Sequence, residues 1–167
     1  IMFNFLKKTN LQKENLKGTA KLIYQDVSEV AWDKENLTKQ NLDFSIESIR
    51  FIDQYAKNLL STERGKELLD QYFDGLADRI GAYIGEVIKN HIKQDFHWYE
   101  FKTIYLHSSK LDDSDSSMKK QNLLYSIKKD TVILPLFEVA QLLKGKSSYP
   151  NLLSYVEEMI QINSTSK

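Results

Sequence analysis

The chain has 167 residues, no cysteine, and a formal net charge of +0 from 23 basic and 23 acidic side chains. That length accommodates one ordinary domain with a substantial core. The charge balance leaves no global field to draw nucleic acid or anionic lipid, and the lack of thiols excludes disulfides, thiolate zinc sites and cysteine nucleophiles.

Residues 1–18 read as an N-terminal arm in which Phe3, Phe5 and Leu6 mix with Lys7, Lys8, Lys13 and Lys17. Met2 is a candidate natural start, and the apolar run to Leu6 is too short for a signal-peptide core. No apolar run approaches the roughly 20 residues of a membrane span, so a soluble cytoplasmic protein with neither membrane nor nucleic acid as partner is expected. A single domain over residues 19–162 follows, and residues 163–167 form a polar tail. The positions Leu22, Ile23, Val27, Val30, Ala31 and Leu37 predict a helix from Thr19, as N-cap, to about Gln40. Asp43 then caps a helix whose stripe is Ile46, Ile49, Ile52, Ala56 and Leu59, widened by Phe51 and Tyr55.

Ser61-Thr62 offers a break and a new N-cap, after which Leu68, Leu69, Tyr72 and Phe73 lead into the most strongly patterned stretch, Gly75 to Ile92. One long bent helix is favoured there over two joined near Asp74-Gly75. Leu76, Ala77, Ile80, Tyr83, Ile84, Val87 and Ile88 form one buried face. Gly81 and Gly85, four apart, occupy neighbouring turns of one side and invite close approach of another element. Each glycine costs about 1 kcal/mol of helix propensity against alanine, which packing must offset.

The period changes to two after Lys93: Phe96, Trp98 and Glu100 alternate with His97, Tyr99 and Phe101, a strand that Thr103 to His107 continues or pairs with. A serine- and aspartate-rich loop over 108–117 precedes strands near Leu123 to Ile127 and Thr131 to Leu134, joined by a turn at Lys128-Lys129-Asp130. Pro135 opens a helix that ends at Gly145, and Leu152 to Ile160 forms the last one. The expected fold is α+β and helix-rich, with helices packed on a small three- or four-stranded antiparallel sheet.

No catalytic residue and no cofactor is assigned. Glu86, among Tyr83, Gly85, Val87 and Ile88, is either a structural tie or the seed of an acid-base site. Its separation of five residues from His91 is about 500° of helical rotation, which puts the two on different faces. His97 and Glu100, three apart on a strand, also face apart. No metal site is therefore expected. Asp112, Asp113 and Asp115 do not make a calcium loop, because Met118 and Leu124 stand where glycine and an acidic ligand are required. Trp98, Tyr99 and Tyr105 are the candidate partner-binding residues, since Trp and Tyr dominate interface hot spots. Gly81, Tyr83, Gly85 and Glu86 are the structural or alternative site.

The order L-D-F-S-I-E-S-I from Leu42, G-A-Y-I-G-E-V-I from Gly81, an aromatic strand with Trp98, and L-P-L-F-E-V-A-Q-L-L-K-G from Leu134 resembles a family of small uncharacterised bacterial proteins with a G-x-Y-x-G-E-V helix, some of them toxin-immunity-like. The resemblance spans about residues 42–160, implies a helix packed beside a small sheet, and carries no catalytic residue across. The expected function is a non-enzymatic protein-interaction module, the toxin-immunity type included, with a protein partner. The alternative is a small-molecule binder or hydrolase using Glu86 and a histidine in an aromatic pocket.

Overall fold

The computed structural model describes residues 11–26, 28–108, 111 and 121–164. Most of the N-terminal arm, the acidic stretch 112–115 and residues 165–167 of the polar tail lie outside them. The elements are α1 (Lys17–Gln25), α2 (Ala31–Asn36), α3 (Ile49–Ser61), α4 (Glu63–His91), β1 (Phe96–Glu100), α5 (Phe101–Ile104), β2 (Asn122–Ser126), β3 (Thr131–Ile133), α6 (Pro135–Leu143) and α7 (Leu152–Asn163). The fold is α+β and helix-rich, with a three-stranded antiparallel sheet of order β1-β2-β3.

The 29-residue α4 is the hub, packing against α1, α3, α6 and α7. Thr62 caps it by accepting from the Gly65 amide at 2.9 Å. One residue inside it is not helical: Tyr72, at φ −131° and ψ 31°, makes the bend. Beyond the bend the expected apolar face is buried throughout, from Leu76 to Ile88. Asp53 on α3 receives the Leu152 and Leu153 amides at 2.7 and 3.0 Å, supplying acceptors for the first turn of α7. Pro135 occupies the first turn of α6, and Gly145, at φ 72°, follows its end in the left-handed region that glycine enters without strain.

Four local expectations are corrected. The helix expected over 19–40 is two helices, because Asp26 is extended and the Ser28 hydroxyl accepts from the Val30 amide (3.1 Å) while donating to Asp33 (2.9 Å). Those side chains offer the backbone an alternative to continuing the helix. Nor is Thr19 a cap; α1 starts at Lys17, whose amide bonds Asn15. Asp43 caps a turn instead of α3, accepting from the Ser45 amide at 3.0 Å, since Phe44 at φ 64° redirects the chain there. Finally, Thr103 to His107 is no strand. The chain leaves β1 at Glu100 and coils into α5, which folds over the sheet.

That last turn decides the burial of the whole sheet. Phe96, Trp98, Leu124 and Ile133 face the main core around α4. Tyr99, Leu123 and Tyr125 point the other way, into a second core closed by Phe101 and Ile104 of α5 with Leu11 and Leu111 against it. The alternation is that of a period-two strand buried on both faces. The helices α1 and α3 pack chiefly on α4; the sheet's principal helical neighbours are α5 and α6. Among the described residues no helix is long and apolar enough to cross a membrane.

Candidate functional site

The Gly81–Gly85 side of α4 is where strand and helices meet. A Cβ on Gly85 would lie 2.3 Å from Cη2 of Trp98, and one on Gly81 would lie 2.8 Å from the Leu136 Cα. No side chain fits at either position without displacing its neighbour, so the two glycines admit the indole of β1 and the backbone of α6. The indole Nε1 then donates to Glu86 Oε2 at 2.8 Å, and Lys89 Nζ reaches the same oxygen at 3.0 Å. Glu86 is 2% exposed, and these two side chains are its only hydrogen-bonding and ionic partners among the described residues. A buried carboxylate satisfied by an indole N–H and an ammonium is a tie between helix and strand. It is not brought to a histidine. His91 bonds the Val87 carbonyl at 2.7 Å, and His97 sits beside Lys13 and Lys89. Burial and those two cations push the His97 pKa below its ordinary value, with Asp95 opposing. His107 follows α5, its amide bonded to the Ile104 carbonyl.

Tyr83 makes a second tie. Its hydroxyl accepts from the Phe44 amide at 3.0 Å and is hydrogen-bonded to Ser48 Oγ at 2.7 Å, while its ring stacks on Phe44 at 4.6 Å. Burial pushes the phenol up to about 12. The aromatic trio expected at a partner surface is mostly interior: Trp98 and Tyr99 are each 1% exposed. Trp98 is held against Gly85 and Tyr99 is covered by α5, which removes both from any surface. Tyr105 is half-buried and stacks on Phe101 at 6.0 Å. Among the described residues no group of three or more His, Asp and Glu side chains is placed to hold a metal ion.

A concave site lies on the opposite flank of α4, beside the bend. There α1, the loop after it, α2, α3 and α4 enclose a cleft of about 640 Å³, within the size range of small-ligand pockets. Arg64 and Leu68 line it before the bend, Tyr72 at the bend, and Leu76, Arg79 and Ile80 after it. Asp26, Ser28, Glu29 and Asp33 come from the loop and α2, and Tyr55 from α3. Arg79 pairs with Asp26 at 3.1 Å across the mouth. Asp33 is 6% exposed and lines two smaller clefts that adjoin the first. Burial raises its pKa above the usual aspartate value, and the Ser28 hydrogen bond opposes that shift only in part. Tyr55 is pushed up to about 12 by burial and by Asp33, with Arg79 opposing.

None of the cleft's polar residues was singled out from the sequence as a site. Spacing puts Tyr55 on the apolar face of α3, whereas it lines the cleft together with Asp33, and Arg79 is half of an ion pair. One signal was available: Asp33 stands three residues after Val30 and four before Leu37, so a carboxylate falls on an apolar helical face. No family model, curated protein or solved structure matches the chain.

Proposed function

We propose that this protein is a soluble, cytoplasmic, non-enzymatic protein-interaction module, of the toxin-immunity kind that the sequence resemblance implies, and that its partner seats on the cleft beside the bend of α4. The observation that carries this reading is the composition of the concave surface. Tyr72 stands on its rim at 56% exposure, and Tyr55, Arg64 and Arg79 line it. Tyrosine and arginine are the side chains that most often concentrate binding energy at interfaces. A cleft of this size takes one or two anchoring side chains, and the surrounding contact extends over the roughly 800 Å² per partner of a standard interface. Glu86, by contrast, is used up in holding Trp98 and Lys89, which favours binding over acid-base chemistry at that residue.

The experiment is site-specific photocrosslinking in the source cell, with the photoreactive residue placed at Tyr72 or, as control, at Leu106, which is 61% exposed and follows α5. One defined protein captured from Tyr72 and not from Leu106, and released by Arg79→Ala or Tyr55→Ala in the folded protein, is the expected result. Equal capture from both positions, or capture indifferent to both substitutions, overturns the assignment of the surface.

A further inference from the structure

The carboxylate of Asp33 is 6% exposed, yet among the described residues no basic side chain lies within ion-pair distance of it. Buried carboxylates are ordinarily paired with a cation or fully hydrogen-bonded. Here Ser28 supplies one donor, to Oδ2, and Oδ1 has none. Among the described residues no buried side-chain oxygen is both sealed and unbonded, so Oδ1 opens on one of the clefts that Asp33 lines. Tyr55 lines two of the same clefts, and its hydroxyl likewise makes no hydrogen bond among the described residues. Around the main cleft the acidic residues Asp26, Glu29 and Asp33 outnumber the basic Arg64 and Arg79 by one. Arg79 is engaged by Asp26 and Arg64 by Glu67, which leaves Glu29 and Asp33 without a paired cation among the described residues, and of these two Asp33 is the buried one. The walls beside it, Ile23, Val30 and Leu37, are apolar, which suits a hydrocarbon stem.

We propose that Asp33 and Tyr55 form the seat for an organic cation, the guanidinium or ammonium end of an arginine or lysine side chain that the partner inserts into the cleft. The source of the cation rests on the protein-interaction reading; the chemistry of the seat does not. The inserted group donates to Asp33 Oδ1 and to the Tyr55 oxygen, and its stem lies along the apolar wall. A charge-assisted hydrogen bond of this kind is about twice as strong as a neutral one, and stronger still out of water. The seat thereby selects a cation over a neutral group of the same shape.

The test is an amide-shift NMR titration of the whole chain with n-butylguanidinium chloride and, as neutral isostere, n-butylurea. Saturable shifts at Ser28, Val30 and Asp33 with the cation, at a Kd of roughly 10 mM or tighter for so small a probe, and no saturation with the urea are expected. In folded Asp33→Asn the affinity falls by about tenfold or more, and in Tyr55→Phe it falls by less. Should Asp33→Asn fail to fold, loss of binding by the native chain on acidification, together with the Tyr55→Phe response, decides the matter. Equal response to both probes, or cation binding undiminished by the substitutions or by acid, overturns the seat. Partner capture through Tyr72 reads separately: capture without n-butylguanidinium binding rejects the seat alone, and binding without capture rejects the partner as its source.

Discussion

Trp98 lies across the Cβ-less face of Gly85 with its ring atom Cη2 only 2.3 Å from where a Gly85 Cβ would stand, and this fit carries its Nε1 to the neighbouring Glu86. Packing and polar satisfaction are thus coupled: the glycine makes room for the indole, and the indole satisfies the carboxylate that follows the glycine in sequence. Gly85→Ala is expected to destabilise the domain by about 2–3 kcal/mol, the overpacking penalty exceeding the roughly 1 kcal/mol gained in helix propensity. At Gly75, on the same helix, an added Cβ meets nothing within 4 Å. Gly75→Ala is therefore expected to stabilise by about 0.5–1 kcal/mol. Denaturant unfolding of the pair checks both signs; equal effects would mean that the Trp98 contact is not what makes Gly85 necessary.

Trp98→Phe separates the indole's hydrogen bond from its bulk. Phenylalanine keeps part of the ring packing but removes the donor to Glu86, leaving a buried carboxylate with Lys89 alone. A loss of about 2–4 kcal/mol is expected from the cavity and the lost charge-assisted bond together. Adding Glu86→Leu to Trp98→Phe should recover part of that loss, because it removes the under-satisfied carboxylate. The measurement is a double-mutant cycle by urea unfolding, and strict additivity of the two changes would show that the tie contributes nothing.

Tyr83→Phe deletes the acceptor of the Phe44 amide and leaves the ring stack in place. The expected loss is about 1–2 kcal/mol. Its signature is local: amide hydrogen exchange at Phe44 quickens while the far turns of α4 keep their protection. An unchanged Phe44 exchange rate would place the stability of that left-handed residue in the stacking alone.

The parts of the fold governed by periodicity were legible in the sequence. The stripe on α3, the buried face of α4 after its bend, the Thr62 cap, the Pro135 start and the alternation across β1 to β3 all follow from local spacing. The structure departs wherever a side chain competes with the backbone or a neighbour closes a face. Ser28 and Asp33 divide a stretch whose apolar spacing looked continuous. Tyr99 looked like a surface aromatic because its cover, α5, occupies residues whose pattern also suits a strand. The tie at Glu86 was one of two readings the sequence left open, and choosing between them required the position of Trp98. The cleft was not legible at all, since it exists only where four helices from the first half of the chain fail to close around the bend at Tyr72.

Asp33 offers the last prediction, because the cation seat proposed there and the stability of the fold make opposite demands on its charge. Its folded pKa is raised by burial above the ordinary 3.8, with Asp26, Glu29, Lys34, Tyr55, Arg64 and Arg79 the charged or titratable groups around it. A carboxylate with a raised folded pKa binds its proton more tightly in the folded chain than in the unfolded one. As pH rises through the unfolded value toward the folded one, the unfolded state releases that proton first, and the group's contribution to stability falls. Asp33→Asn has no proton to release and lacks that fall, while its amide oxygen still accepts from Ser28. The variant is therefore expected to match the native chain below the aspartate range and to exceed it in stability at neutral pH. In the same neutral window the variant loses n-butylguanidinium binding. Denaturant unfolding at the two pH values, alongside the NMR titration, checks the pairing. A variant less stable than the native chain at neutrality would identify Asp33 as a structural tie of the loop before α2. A more stable variant that no longer takes the cation identifies a carboxylate kept ionised, against the stability of the fold, for the ligand that pairs with it.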